Sequence, residues 1–406
     1  MHMSALDIHL IFPPQWSPFQ PFLSTPSLKA YLQGNGYSVR QSDWNVEFYD
    51  FFISRRRLPR AISRLQLYVR NLSSEFDDYR NHALVSLGIL KDFDEKERLA
   101  KRLLRRECLD DVEDFYKSVT AFKRLLHAFS VAEPIVDVGT SSLSTSNVLA
   151  SFASIDAFCL NEEDNPFLQF YRDKVASITE VPRYFGISVI GTEQILSSLT
   201  LGAVLKQRFP AVPILIGGSV FSRLVDRTDS IRRLFGRYFD LIVRYEGERP
   251  LEQVLAADNP FDPSISGITY VEGERVMSTG PGLQLSMDEI PTPDFSDLSL
   301  DKYYTPEVVL PILSTRGCYW DKCAFCYHGM IYGDRYRMRR PEALLDDVET
   351  CTVAMASLTS PSTMKRSRPS CSRSSLKYFP RENSFLPAFT SSRNISSWST
   401  TPACTA

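Results

Sequence analysis

Three short runs constrain the fold more than any other feature of the chain: "YFGISVIG" (184–191), "VPILIGGS" (212–219) and "FDLIVRYEG" (239–247). Each is strand-length and rich in Ile, Leu and Val, which suits strands buried on both faces. Stretches of helical periodicity separate and follow them: "EQILSSLTLGAVLKQRFP", "SRLVDRTDSIRRLFGR" and "RPLEQVLAAD". Strands alternating with amphipathic helices predict parallel pairing through helical crossovers. The N-terminus repeats the unit, with a strand over Leu6 to Phe12 and a Pro-rich loop, "PPQWSPFQPFLST". A helix "PSLKAYLQGNG" follows, with Ser24 or Thr25 placed to cap it and Gly34 or Gly36 to stop it. A strand over Ser38 to Gln41 then leads to the turn "DWN".

These pieces make about five strands of a Rossmann-like, doubly wound sheet, assigned to residues 1–52 together with 135–258. Ligands of such sheets sit at the carboxyl ends of the strands. Those ends are the loop after Phe12, "SVIGTEQ", "IGGS" and "YEGE", so Thr192, Gly217, Gly218, Glu246 and Gly247 are the candidate cofactor-binding residues. Gly217 and Gly218 would let a large ligand approach the backbone, although a tight strand-to-helix turn explains them equally well. The chain lacks GxGxxG and Walker patterns, so a dinucleotide or nucleoside triphosphate has little support.

Residues 53–134 read as a charged helical insertion, as in "DEKERLAKRLLRRECLDDVEDFYKSV", where i,i+4 charge pairs flank apolar positions. The basic run "RRRLPR" fits a solvated helix start better than a nucleic-acid patch, because acidic residues follow it. A hairpin-like piece, "SISGITYVEGERVM", and a Pro-rich linker occupy 259–305. Net charge is -2 over 406 residues, which gives no global sign of nucleic-acid binding. The longest apolar runs fall far short of the roughly 18 residues that suggest a membrane span. With no signal-peptide pattern, a cytoplasmic protein with reduced thiols is expected.

Residues 306–351 begin with a strand, "VVLPILSTRG", that delivers "CYWDKCAFC", and a helix with Pro341 in its first turn follows. Three of the eight cysteines, Cys318, Cys323 and Cys326, fall within nine positions at C-x4-C-x2-C spacing, and Gly317 allows the backbone to curl. Such thiols are candidate metal ligands. Zinc in a structural site wants four ligands, and His328 is the nearby candidate for the fourth. A cubane iron–sulfur cluster ordinarily takes four cysteines, so three would leave one iron open to a substrate or cofactor. A redox pair, "CAFC", needs no third upstream thiol. The other five cysteines are scattered and read as packing residues.

In "LSTRGCYWDKCAFCYHG", and in "PPQWSPFQPFLSTPSLKAYLQGNGYSVRQSDWN", "IGGS", "YEGE" and "IPTPDFSDLSLDKY", the chain resembles radical S-adenosylmethionine enzymes with an N-terminal cobalamin-binding domain. The resemblance covers about residues 5 to 350 apart from the insertion. It implies a 4Fe-4S cluster on Cys318, Cys323 and Cys326, and S-adenosylmethionine chelated at the open iron. Reductive cleavage to a 5'-deoxyadenosyl radical would follow, with Phe325 packing near the adenine unless it only packs within the loop. Cobalamin is a further implied cofactor, although the first loop lacks the D-x-H-x-x-G pattern that supplies an axial histidine elsewhere. Methyl transfer, or modification of a peptide or small natural product, is the implied reaction, with a flavodoxin or ferredoxin as electron donor. The competing reading is a non-catalytic cobalamin-fold binding module with a vestigial cluster loop. The basic segment "DRYRMRRPE" could contact RNA, but it matches a basic segment of the relatives.

The expected fold class is therefore α/β: a Rossmann-like domain with an insertion, then the first strand-loop-helix of an incomplete TIM-like barrel. Residues 352–406 are Ser-, Thr- and Pro-rich, with Glu382 their only acid and no helix or strand period. That tail is expected to be disordered and to come from out-of-frame translation, because the strands a barrel would need are missing from it.

Overall fold

β1 (Ile8–Phe12) runs through a loop into α1 (Ser24–Gly34) and returns as β2 (Val39–Asp43), paired parallel to β1 from Ile8↔Val39 to Phe12↔Asp43. The structure is a computed structural model that describes residues 6–71, 77–104, 111–145, 148–223, 231–282, 284–326, 328–333 and 335–358. By contact the chain divides into two units, Met1–Cys351 and Thr352–Ala406. The sheet and the cysteine loop lie in the first. The tail expected to be aberrant falls, from residue 359 onward, outside the described residues.

Asp43 ends β2 and caps α2 (Trp44–Phe52), accepting from the N–H groups of Asn45 and Val46. The sequence reading took "DWN" for a turn. Here its Asp is an N-cap, and the helix it starts presents Trp44, Phe48 and Phe52 on one face. Phe48 packs 4.8 Å from Phe167 and 5.3 Å from Phe52 by ring centroids. This aromatic patch receives α3 (Leu58–Asn71), α4 (Asp77–Lys91), α5 (Phe93–Lys101) and α6 (Val112–Val131), whose Phe122, Leu125 and Phe129 share the same core. Three of the four "RRRLPR" arginines are bound within the chain: Arg55 to Asp94, Arg56 to Asp173 and Arg57 to Glu133.

A small hairpin, β3 (Val136–Val138) and β4 (Leu143–Thr145), leads to α7 (Phe152–Cys159) and α8 (Pro166–Ala176). The central sheet then resumes with β5 (Tyr184–Ser188), α9 (Ile195–Arg208), β6 (Ile214–Gly217), α10 (Ser219–Ser222), β7 (Leu241–Val243) and α11 (Glu248–Ala256). Residues 224–230 of the helix expected over 222–237 lie outside the described residues.

The parallel strands stand in the order β2-β1-β5-β6-β7, a doubly wound arrangement whose order reverses between β1 and β5. Alternate residues feed two cores. Ile11, Phe185, Ile187, Ile214, Ile216 and Ile242 face α2 and the inserted helices, whereas Ile8, Leu10, Tyr184, Leu215, Leu241 and Val243 face α1 and α11. The result is a mixed α/β fold with a mostly parallel central sheet. The expected hairpin forms as β8 (Ile268–Glu272) and β9 (Arg275–Ser278), and it extends the sheet, because β8 pairs antiparallel with β7.

After the linker come β10 (Thr315–Arg316), α12 (His328–Tyr332), β11 (Arg337–Met338) and α13 (Pro341–Leu358). The strand expected from Val308 is reduced to the two residues of β10, paired antiparallel with β11. A barrel strand needs parallel neighbours on both sides, and residues 308–314 have none among the described residues.

The linker is strapped to the β2 edge. Buried Lys29 lies 2.7 Å from Asp297 and 3.0 Å from Asp294, and Gln41 donates to Asp297 Oδ1 at 2.7 Å. Tyr303 donates to Asp43 Oδ2 at 2.6 Å. Burial pushes Asp43 up to about 6, against the downward pull of Tyr303 and the two backbone N–H groups, and nearby Glu47 adds to the rise. A raised folded-state pKa favours the protonated fold, so this contribution is complete below pH 4 and lost as pH climbs through 6. From pH 4 to pH 7 the wild type should lose up to about 3 kcal/mol of stability that Asp43→Asn does not lose. Urea melts of both proteins at the two pH values check this, and parallel pH profiles would refute it.

Candidate functional site

The loops at the carboxyl ends of the strands are sewn together by buried polar groups. Gln194, with no exposed surface, donates to the Pro13 carbonyl at 2.7 Å and accepts from the Ile190 N–H at 2.8 Å, joining the loops after β1 and β5. Ser219 donates to the Ile190 carbonyl at 2.6 Å, and Ser222 accepts from the Tyr245 N–H at 2.7 Å. Tyr245 takes a positive φ of 64° so that the chain can turn from β7 into α11. Half-buried Trp16 and Phe22 pack edge to face at 5.5 Å beside the reversal point between β1 and β5.

Thr192, Gly217, Gly218, Glu246 and Gly247 therefore all lie at one end of the sheet, with Thr192 exposed and the others half-buried. At φ +107°, a side-chain carbon at Gly218 would collide with the Val189 carbonyl, and at Gly217 it would press on the Val243 carbonyl at 3.0 Å. On the side where a side chain would stand, both glycines make room for the protein's own backbone, which accounts for the tight turn. A side-chain carbon at Gly247 would instead meet the Leu28 side chain, at 3.2 Å.

The cysteine loop leaves the fold at Gly317, whose φ of +84° turns the chain, and a side chain at that position would strike the Arg335 carbonyl. The β10–β11 ladder closes the loop at its base. Cys318 is half-buried, Cys323 and Cys326 are exposed, and all three thiols are free. The Cys326 N–H donates to the Cys323 carbonyl at 3.0 Å, which bends the C-x2-C segment into a turn. Among the described residues no three His, Cys, Asp or Glu side chains are gathered closely enough to hold a metal ion. The side chain of His328 lies outside the described positions. As a donor set, three soft thiols on one curled, solvent-open loop suit an iron–sulfur cluster. Phe325 is 85% exposed, so it does not pack within the loop, and Tyr319 and Trp320 are 67% and 58% exposed.

What sequence reasoning missed is the base of this loop. Arg316 donates to Glu246 at 2.8 Å and to Glu248, and Arg337 binds the same Glu246. Burial works against the charge on Arg316, but Glu248 and then Glu246 outweigh it and hold its pKa above the ordinary value. The signal was present in the charge pattern, since "YEGE" and the two arginines carry opposite charges, but their separation of about 70 and 91 positions hid the pairing. Two further arginines of "DRYRMRRPE" are also engaged: Arg339 with Asp347 and the Met287 carbonyl, and Arg340 with Asp288.

The fold and loop define an α/β protein that carries three free thiols on one loop near the carboxyl end of a doubly wound sheet. No family model matches the chain. It is 31% identical over 113 residues to an uncharacterized methyltransferase of Pyrococcus horikoshii, a stretch that spans 27% of this chain and 24% of that relative. Among solved structures, the radical S-adenosylmethionine methyltransferase TsrM from Kitasatospora setae overlays on 86% of this chain and 46% of its own. With cobalamin and a 4Fe-4S cluster bound, TsrM gives a TM-score of 0.43 and 13% identity. With its tryptophan substrate and a S-adenosylmethionine analogue bound, it gives 0.44 and 12%. No helix among the described residues is long and apolar enough to cross a membrane.

Proposed function

We propose that the chain is a radical S-adenosylmethionine enzyme of the cobalamin-associated type, acting in methyl transfer or in modification of a peptide or small natural product. The observation that carries this reading is the set of three free thiols within nine residues, on a loop that opens at a positive-φ glycine and is closed by its own strand ladder. The stretch shared with a methyltransferase supports methyl transfer as the outcome.

In this reading Cys318, Cys323 and Cys326 would hold three irons of a 4Fe-4S cluster. The loop provides no fourth cysteine, so one iron would be left free to take the amino and carboxylate groups of S-adenosylmethionine. When bound, the cluster and S-adenosylmethionine together supply a one-electron cleavage that generates a carbon radical. The protein's part is placement and shielding: Gly317 sets the curl, the Cys323–Cys326 turn fixes two thiols, and exposed Phe325 offers an apolar face for the adenine. Large exposed aromatics clustered on one loop mark a surface that a ligand or partner covers. An electron donor such as a flavodoxin or ferredoxin would supply the electron. Cobalamin would lie at the reversal point between β1 and β5, beside Trp16 and Phe22, with Thr192 and the Glu246–Gly247 turn at the rim.

Anaerobic reconstitution with iron and sulfide tests the reading. About four irons per chain are expected, followed by reductive cleavage of S-adenosylmethionine to methionine and 5'-deoxyadenosine. Iron without cleavage would favour a binding module with a vestigial loop, and a colourless protein without iron would sink the cluster assignment.

A further inference from the structure

We infer that Glu246 is a positioning residue that holds the base of the cysteine loop closed from the carboxyl end of the sheet. Across the β10–β11 ladder, Arg316 stands directly opposite Arg337. Like charges facing each other across a strand pair repel, and a ladder of two residue pairs has little else to hold it. Glu246 removes the conflict, because Arg316 reaches its Oε2 at 2.8 Å and Arg337 reaches its Oε1. Glu248 takes the second nitrogen of Arg316, so two cations and two anions balance. The group is withdrawn from solvent: Arg316 is 11% exposed, Glu246 8% and Glu248 3%. Withdrawn charges of this kind tolerate the loss of one partner poorly.

Glu246 comes from the turn between β7 and α11 and Glu248 from the first position of α11, at the carboxyl end of the sheet, whereas the two arginines flank the excursion from Gly317 to Tyr336 that carries all three thiols. Anchors from residues 284–285 reinforce the same end, since Arg337 also donates to the Leu285 carbonyl and Gln284 to the Tyr332 carbonyl. The loop is thus closed by a carboxylate from about 70 residues upstream that is shared by both arginines at its base, with Glu248 supporting one of them. Glu246 acts on the thiols through Arg316 and Arg337, and it need not touch a cofactor.

The closure itself does not depend on the proposed enzymatic function, but its effect on a cluster rests on that reading, and the test separates them. Hydrogen exchange is measured on the full-length chain without metal for wild type, Glu246→Gln and the double variant Glu246→Gln/Arg337→Gln. Glu246→Gln should speed exchange at least tenfold in the amides of residues 315–326 and 337–338, with β1, β5 and β6 unchanged. The double variant, which removes the facing charges, should recover most of the protection. Wild-type exchange in the Glu246→Gln loop would overturn the inference, as would acceleration spread evenly over the sheet. After reconstitution, Glu246→Gln should hold less iron and, once reduced by one electron with dithionite, show a broadened electron paramagnetic resonance signal, with both restored in the double variant. If the wild type takes up no iron, the cluster reading fails while the exchange result still decides the closure.

Discussion

Replacing Cys323 with alanine removes essentially all cluster iron from the reconstituted protein, taking it from about four irons per chain to near zero and abolishing the visible chromophore. In the proposed cluster three thiolates already leave one iron without a protein ligand, so losing one of the three leaves only Cys318 and Cys326 as anchors. Cys323 is also the carbonyl partner of the Cys326 N–H within the C-x2-C turn, so it fixes its neighbour's position as well. Cys351→Ala is the matched control. That residue is buried with Phe295 and Leu298, and burial pushes its thiol up to about 11, so it stays protonated. Buried Cys159 is held protonated in the same way, also at about 11. Undiminished iron in Cys323→Ala, or equal loss in Cys351→Ala, would show that the loop thiols are not the ligands.

Gly218→Ala should be the most damaging small substitution in the sheet. The residue holds φ at +107°, where an L side chain is strained by roughly 1–2 kcal/mol. An added carbon would also meet the Val189 carbonyl, which is backbone tied into the ladder by a bond from the Val189 N–H to the Gly217 carbonyl. Strain and overpacking together should cost about 3 kcal/mol or more. Gly36→Ala separates the two terms, because Gly36 has a positive φ of +89° with open space around it and should lose only the strain. Denaturant midpoints for the two variants measure the difference. If Gly218→Ala loses no more than Gly36→Ala, the β5 end yields to the added carbon, and the room at Gly218 is available to a ligand after all.

The parts of the fold that were legible share one property, namely that their cause is local. The apolar runs at 184–191, 212–219 and 239–247 became β5, β6 and β7 because continuous Ile, Leu and Val with nothing polar to expose can be buried only on both faces of a sheet. The helical insertion was visible for the same reason, since its charge spacing and apolar period are set within a few turns. The start of α1 was misread. Ser24 and Thr25 lie inside the helix rather than capping it, and Leu23 precedes it without a side-chain cap. α2 escaped notice because its helical pattern consists of aromatics, poor helix formers on their own, and only the packing of Phe48 and Phe52 against Phe167 and α6 makes the helix worthwhile.

The candidate site divides in the same way. Three thiols at their spacing, and a glycine that allows the turn, are written in nine consecutive letters, because a loop's ligands and its curl are properties of the loop. By itself the sequence determined that this chain carries a doubly wound sheet and a three-cysteine loop. It could not determine what Gly218 is for, since a glycine that admits a ligand and one that admits Val189 look identical in the chain. Nor could it reveal that Glu246 binds both Arg316 and Arg337, because attraction between charges depends on the few ångströms between them and not on the 70 or 91 positions along the chain. Those two decisions belong to tertiary structure, where distant segments are brought within contact and the space beside each residue is either filled or left open.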